Sequence, residues 1–97
     1  TAELLHYENL GLCSEGGSGE LIDSGETQLG GRLPVNVSGG LLSKGHPLGA
    51  TGIANIYEVV THLRGEAGAR QVEGARIGMT HVVGAGSACA IHILEKV

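Results

Sequence analysis

Eighteen glycines in 97 residues constrain this chain more than any other feature. An ordered glycine loses more backbone entropy than any other residue, so this many are kept only where they shape turns or let backbone and ligand come close. The rest of the chain has little to offset that loss. With no Trp, no Phe and two Tyr, any core is built from Leu, Ile, Val and Ala, and a chain this short buries only about 60 to 65% of its unfolded surface. A hydrophobic share of 41% with 16% charged residues belongs to a globular chain of one domain at most. Marginal independent stability follows.

Charge and cysteine usage exclude several function classes. A net charge of -4, with six Lys and Arg and none of them in a run, provides no electrostatic footprint for nucleic acid or an anionic membrane surface. Cys13 and Cys89 are too few for a disulfide framework, so a reducing, cytoplasmic setting is expected. No apolar stretch is long enough to span a bilayer, and no basic-then-apolar leader opens the chain. The first residue is Thr1 rather than Met, which reads as a fragment, a processed piece or one part of a longer polypeptide.

Along the chain, residues 1–10 read as a short helix with Thr1 placed to cap it and Gly11 to stop it. Residues 14–31 hold six glycines and read as a surface loop with at most one edge strand, and 33–37 as a short edge strand begun near Pro34. From Gly39 the sequence GGLLSKGHPLGATG runs into Ile53, Ile56, Tyr57, Val60 and Leu63, which share one helical face. A Gly-rich loop is thus aimed at the start of a helix that ends near Arg64 and Gly65. Residues 76–83 and 88–96 read as an antiparallel pair joined by Gly84, Ala85, Gly86 and Ser87. No internal repeat is present.

His46 leads the residues able to carry chemistry. It lies between Gly45 and Pro47 ahead of a helix start, where the macrodipole disfavours a second positive charge. A neutral imidazole there can take a proton from a thiol or donate to a developing oxyanion, and the flanking glycines let a substrate approach the backbone. A plain histidine in a surface turn is the alternative reading. Gly84 follows a strand, where a glycine can present its N–H to a substrate carbonyl; an ordinary hairpin turn explains it equally. Residues 84–89 echo the opening of a dinucleotide fingerprint, but the following run is β-branched and no acidic ribose partner follows. Lys44 precedes a glycine instead of following one, so the segment is not a phosphate loop. The five histidines lack metal-binding spacing. Cys13 reads as a small buried hydrophobe, and Cys89, alternating with Ile91 and Ile93, as core.

The stretch NVSGGLLSKGHPLGATG, residues 36–52, resembles the N-x-x-G-G…G-H-P-x-G-A-[ST]-G signature near the C-terminus of thiolases. YENLGLCSEG and HLRGEAGARQVEGA look like the sterol-carrier-protein-2 type of that superfamily. The resemblance covers nearly the whole chain. It implies an α/β fold, the C-terminal part of a thiolase half-repeat in which a mixed sheet is packed by helices, with residues 1–97 forming only the C-terminal portion of a longer protein. It gives His46 the role of activating a nucleophilic cysteine and hydrogen-bonding the thioester oxygen, Gly84 an oxyanion-hole N–H, and Gly40, Ser43, Gly45 and Pro47 places along the substrate. The family's C-x-G motif is not intact: aligned on Gly84, Val82 stands at the cysteine position with His81 just before it, a further candidate. In the sterol-carrier-protein-2 type that second cysteine comes from an H-D-C-F loop, here expected ahead of Thr1.

The resemblance further implies thiolytic cleavage of a 3-ketoacyl-CoA, or its reverse, through an acyl-cysteine whose cysteine lies outside these residues. Coenzyme A would be a substrate, with no metal or redox cofactor. The implied partners are the N-terminal thiolase half, in the same polypeptide or a separate chain, and a second copy in a homodimer or larger assembly. Non-thiolytic lipid-transfer-type members form the other reading, either steroid-CoA carbon–carbon lyases with an OB-fold partner chain or scaffolds of acyl-CoA complexes.

Overall fold

The computed structural model describes residues 2–97, which form two compact units, one up to Val35 and the other from Asn36 to Val97. In the first, helix α1 spans Ala2–Asn9 and α2 spans Ser18–Asp23. α1 ends where the sequence predicts: the Gly11 N–H bonds to the Glu8 carbonyl at 3.0 Å and the Leu12 N–H to that of Tyr7 at 2.9 Å, the Schellman closure that satisfies the last turn. The capping expected of Thr1 lies outside the described residues.

α2 corrects the loop expected over residues 14–31. Six residues cannot hold a helix by propensity alone, and burial supplies what propensity lacks. α2 contacts α1, Leu21 is buried, and the buried Ser18 hydroxyl donates to the Leu4 carbonyl at 2.6 Å. Tyr7 is buried as well, and burial together with the nearby Glu3 pushes its phenol above the usual range. The edge strand expected over residues 33–37 is absent. The Leu33 and Val35 N–H groups donate to Glu26 and Thr27, at 2.8 and 2.9 Å, so the segment folds back on the loop before it and has no strand to pair with.

In the second unit, α3 covers Gly40–Lys44, α4 covers Thr51–Leu63, and a 3-10 turn covers Gly68–Arg70. Strands β1, Ile77–Gly84, and β2, Ala88–Glu95, pair antiparallel from Ile77↔Glu95 to Gly84↔Ala88. This is the hairpin read from the sequence. Ala85 and Gly86 both take positive φ, 51° and 70°, and the Ser87 N–H closes on the Gly84 carbonyl at 3.1 Å, the sign pattern of a primed hairpin turn.

α4 packs on both strands. Alternation along a strand sends successive side chains to opposite faces, and the even-numbered positions of β1 face the helix. Thr80 is buried there, and Gly78 comes so close to Val59 that an added Cβ would lie 2.5 Å from its Cγ1. The odd-numbered face carries Ile77, Met79, Val83, Ile91 and Ile93, all exposed. Cys89 shares that face and is exposed too, which corrects its expected place in the core. Period-2 alternation identifies a face, but only a neighbouring element covers it. The same reason leaves Ile53 and Tyr57 of the α4 stripe 72% and 69% exposed while Leu63 is buried.

α4 closes on Gly65 and Glu66 by the same pair of hydrogen bonds as α1, to His62 at 3.1 Å and Thr61 at 3.0 Å. A polar clip then ties its last turns to the chain that follows. Glu58 accepts from Arg70 Nε and Nη2 at 2.7 and 3.0 Å and from His62 Nε2 at 3.1 Å. His62 Nδ1 accepts the Val72 N–H at 3.1 Å, so Nε2 is the protonated nitrogen of the neutral ring. The Arg70 guanidinium holds the Glu58 carboxyl below the usual carboxylate range, against the opposing pull of burial, and His62 adds to the lowering.

Candidate active site

The plain Gly-rich loop expected from Gly39 is corrected here: residues 39–51 fold as a short helix, α3, a glycine break and a second helix start, because Gly39 and Gly45 with positive φ close off one turn of helix between them. Gly39 takes φ 90° ahead of α3, and the Gly45 N–H caps its end on the Leu41 carbonyl at 2.8 Å. Gly45 itself takes φ 84°, ψ 175°, a region essentially reserved for glycine. That reversal delivers His46 to the gap between α3 and α4. Pro47 follows, and its carbonyl accepts the N–H groups of Ala50 and Thr51 at 3.0 and 3.2 Å, starting α4.

His46 is thereby exposed on the chain but not free-swinging. Its Nδ1 lies 2.7 Å from the hydroxyl of Thr51, which is only 6% exposed. Nε2 has no partner among the described residues. Such a ring, fixed through one nitrogen and open at the other, suits proton transfer at the open one. Thr51 carried no signal of its own in the sequence beyond its place in the G-A-[ST]-G run. A contact five residues along, across a glycine reversal and a proline, has no counterpart in helix or strand periodicity.

The other predicted residues fall in two places. Gly40, Ser43, Gly45 and Pro47 lie with His46 on the α3–α4 loop, and of these Ser43, Gly45 and Pro47 are exposed. Gly84 ends β1 at the hairpin turn, exposed, with its carbonyl taken by Ser87. His81 stands on the odd face of β1, its Nε2 3.4 Å from Cys89 Sγ across the hairpin. Among the described residues no three His, Cys, Asp or Glu gather as a metal site, and no helix is long and apolar enough to cross a membrane.

A Gly-rich loop that presents a histidine ahead of a helix, with that helix laid on an antiparallel hairpin, places this chain among α/β proteins of thiolase type. The chain belongs to the thiolase C-terminal domain-like family, whose model matches residues 1–96. Sterol carrier protein 2 of Bos taurus is 54% identical over 93 residues, 96% of this chain and 17% of that protein. Acetyl-CoA acetyltransferase of Methanothermobacter thermautotrophicus is 54% identical over 94 residues, 96% of this chain and 24% of that protein. Benzoylsuccinyl-CoA thiolase subunit BbsB of Thauera aromatica is 45% identical over 86 residues, 88% of this chain and 22% of that protein. The chain thus spans between 17% and 24% of the length of these relatives.

Proposed function

We propose that these residues are the C-terminal catalytic segment of a thiolase-like acyltransferase acting on 3-ketoacyl-CoA or acetyl-CoA thioesters. The observation that carries the reading is the ring of His46, tethered at Nδ1 and open at Nε2 within a glycine loop of a thiolase-family domain. In the complete protein Nε2 takes the proton of a cysteine thiol supplied from outside this chain. The thiolate attacks the 3-keto carbonyl; the carbon–carbon bond breaks as the acyl-cysteine forms, and the departing acetyl-CoA enolate takes a proton at its α-carbon from an acid supplied outside this chain. Coenzyme A then gives its thiol proton to the base so formed, its thiolate attacks that thioester and the cysteine leaves as a thiolate, a step that is easy because a thiolate is both a good nucleophile and a good leaving group. His46, now carrying the proton, hydrogen-bonds the thioester oxygen, and the Gly84 N–H serves a second oxyanion. Without the cysteine the 97 residues alone are inactive.

His46→Ala in the complete protein is expected to lower acyl transfer from a 3-ketoacyl-CoA by about 10²- to 10⁴-fold, the usual contribution of a positioned acid–base group. Activity within a few-fold of wild type would refute the role. A non-thiolytic, lipid-transfer-type function is the second reading. It is favoured by relatives named sterol carrier protein 2 and non-specific lipid-transfer protein-like 2. The balance of free thiol separates the two: cleavage of a 3-ketoacyl-CoA consumes coenzyme A thiol and condensation of acetyl-CoA releases it, so a complete protein that binds these thioesters but changes the free thiol in neither assay supports the second.

A further inference from the structure

The geometry points to Thr51 as the residue that selects the tautomer of His46: its hydroxyl, braced on the Pro47 carbonyl, accepts from Nδ1–H and so keeps the ring's lone pair on Nε2. This rests on the acid–base role proposed for His46. Thr51 Oγ1 lies 2.7 Å from His46 Nδ1 and 3.2 Å from the Pro47 carbonyl oxygen. A hydroxyl has one proton to give. Were it directed at Nδ1, Oγ1 and the Pro47 oxygen would face each other lone pair to lone pair. Directed at the carbonyl, it makes both contacts attractive, and Nδ1 must then be the donor. A neutral imidazole carries one N–H, so the unpartnered Nε2 holds the lone pair that a general base needs.

The placement of Thr51 supports this division of labour. It is the first residue of α4, one past the N-cap position at which side-chain oxygens commonly serve the helix's orphan N–H groups. The N-cap position Ala50 makes no side-chain cap, yet the Thr51 hydroxyl turns to the ring and the turn carbonyl. Its burial, beside ten exposed residues from Leu41 to Ala50, keeps bulk water from competing for the hydroxyl. When Nε2 takes a proton from the thiol, both ring nitrogens carry hydrogen and the Nδ1–H···Oγ1 bond persists, so the ring need not turn during catalysis. Thr51 is a positioning residue and touches no substrate.

The test compares Thr51→Val, nearly isosteric but without the hydroxyl, with Thr51→Ser and His46→Ala in the complete protein. Thr51→Val is expected to lower kcat about tenfold, the scale of one lost hydrogen bond, with KM little changed, and Thr51→Ser to restore it. Selective ¹⁵N-histidine NMR, with the His46 signal assigned by its loss in His46→Ala, reads the tautomer without reference to turnover. Wild type and Thr51→Ser should show a protonated Nδ1 and a bare Nε2, and Thr51→Val a mixture of tautomers. An Nε2–H tautomer in wild type overturns the inference whatever the kinetics. So does a Thr51→Val protein with wild-type kcat when His46→Ala is inactive. Normal turnover in His46→Ala would instead sink the acyl-transfer reading, leaving the NMR to decide the hold of Thr51 on the ring.

Discussion

At Gly45 the backbone takes φ 84°, ψ 175°, and an added Cβ would meet nothing within 4 Å. Substitution there is therefore penalised by conformation alone, without a clash to confuse the result. Gly45→Ala is expected to lower the stability of the complete protein by about 1–3 kcal/mol, the usual strain of a non-glycine residue in such a region. Denaturant midpoints measure it, and an unchanged midpoint would show that the loop relaxes freely. Because the same reversal delivers His46, acyl transfer should fall along with stability. Gly40 sits one residue into α3, also with positive φ, but it sets the start of that short helix and has no part in aiming the ring.

Between elements, the α4–hairpin packing turns on one absent side chain. A Cβ at Gly78 would press on Val59 Cγ1 at 2.5 Å, so Gly78→Ala pushes helix from strand and is expected to lose about 1–3 kcal/mol, as overpacking does. Adding Val59→Ala should recover part of that loss, and a double-mutant cycle by urea unfolding reads the coupling. The Glu58–His62–Arg70 clip makes a second prediction. Its carboxyl is held low in the folded protein, chiefly by Arg70, so the unfolded chain binds the proton first as pH falls. The stabilisation is complete above the unfolded value and is lost as pH drops through the folded one. Glu58→Gln should therefore be less stable than wild type at neutral pH, and the difference should shrink as pH falls below the ordinary carboxylate range. A gap that stays constant from pH 7 to pH 3 would mean that the carboxylate's charge contributes nothing.

For the whole chain the telling feature is apolar surface without cover. No large side chain is fully buried among the described residues, while Ile77, Met79, Val83, Ile91 and Ile93 line one exposed sheet face. A patch of that kind is unusual on a self-sufficient monomer. The 97 residues on their own are expected to bind the dye ANS and to melt broadly, as loosely packed states do. A sharp two-state transition without dye binding would show that they stand alone.

Local chemistry made part of this protein legible in its sequence. The glycine stops after α1 and α4, the hairpin with its turn at Gly84–Ser87, and the glycine loop that presents His46 ahead of α4 all depend on contacts within a few residues, which spacing and residue type encode. Tertiary structure decided the rest. α2 exists because Leu21 is buried and Ser18 finds Leu4 of α1 more than a dozen residues away, and residues 33–37 are no strand because no partner lies beside them. Which face of the hairpin is covered depended on Val59 meeting Gly78, and the partner of His46 depended on a proline turn that folds Thr51 back onto it. In each case the deciding contact joins groups that no periodicity relates, so only the folded chain brings them together.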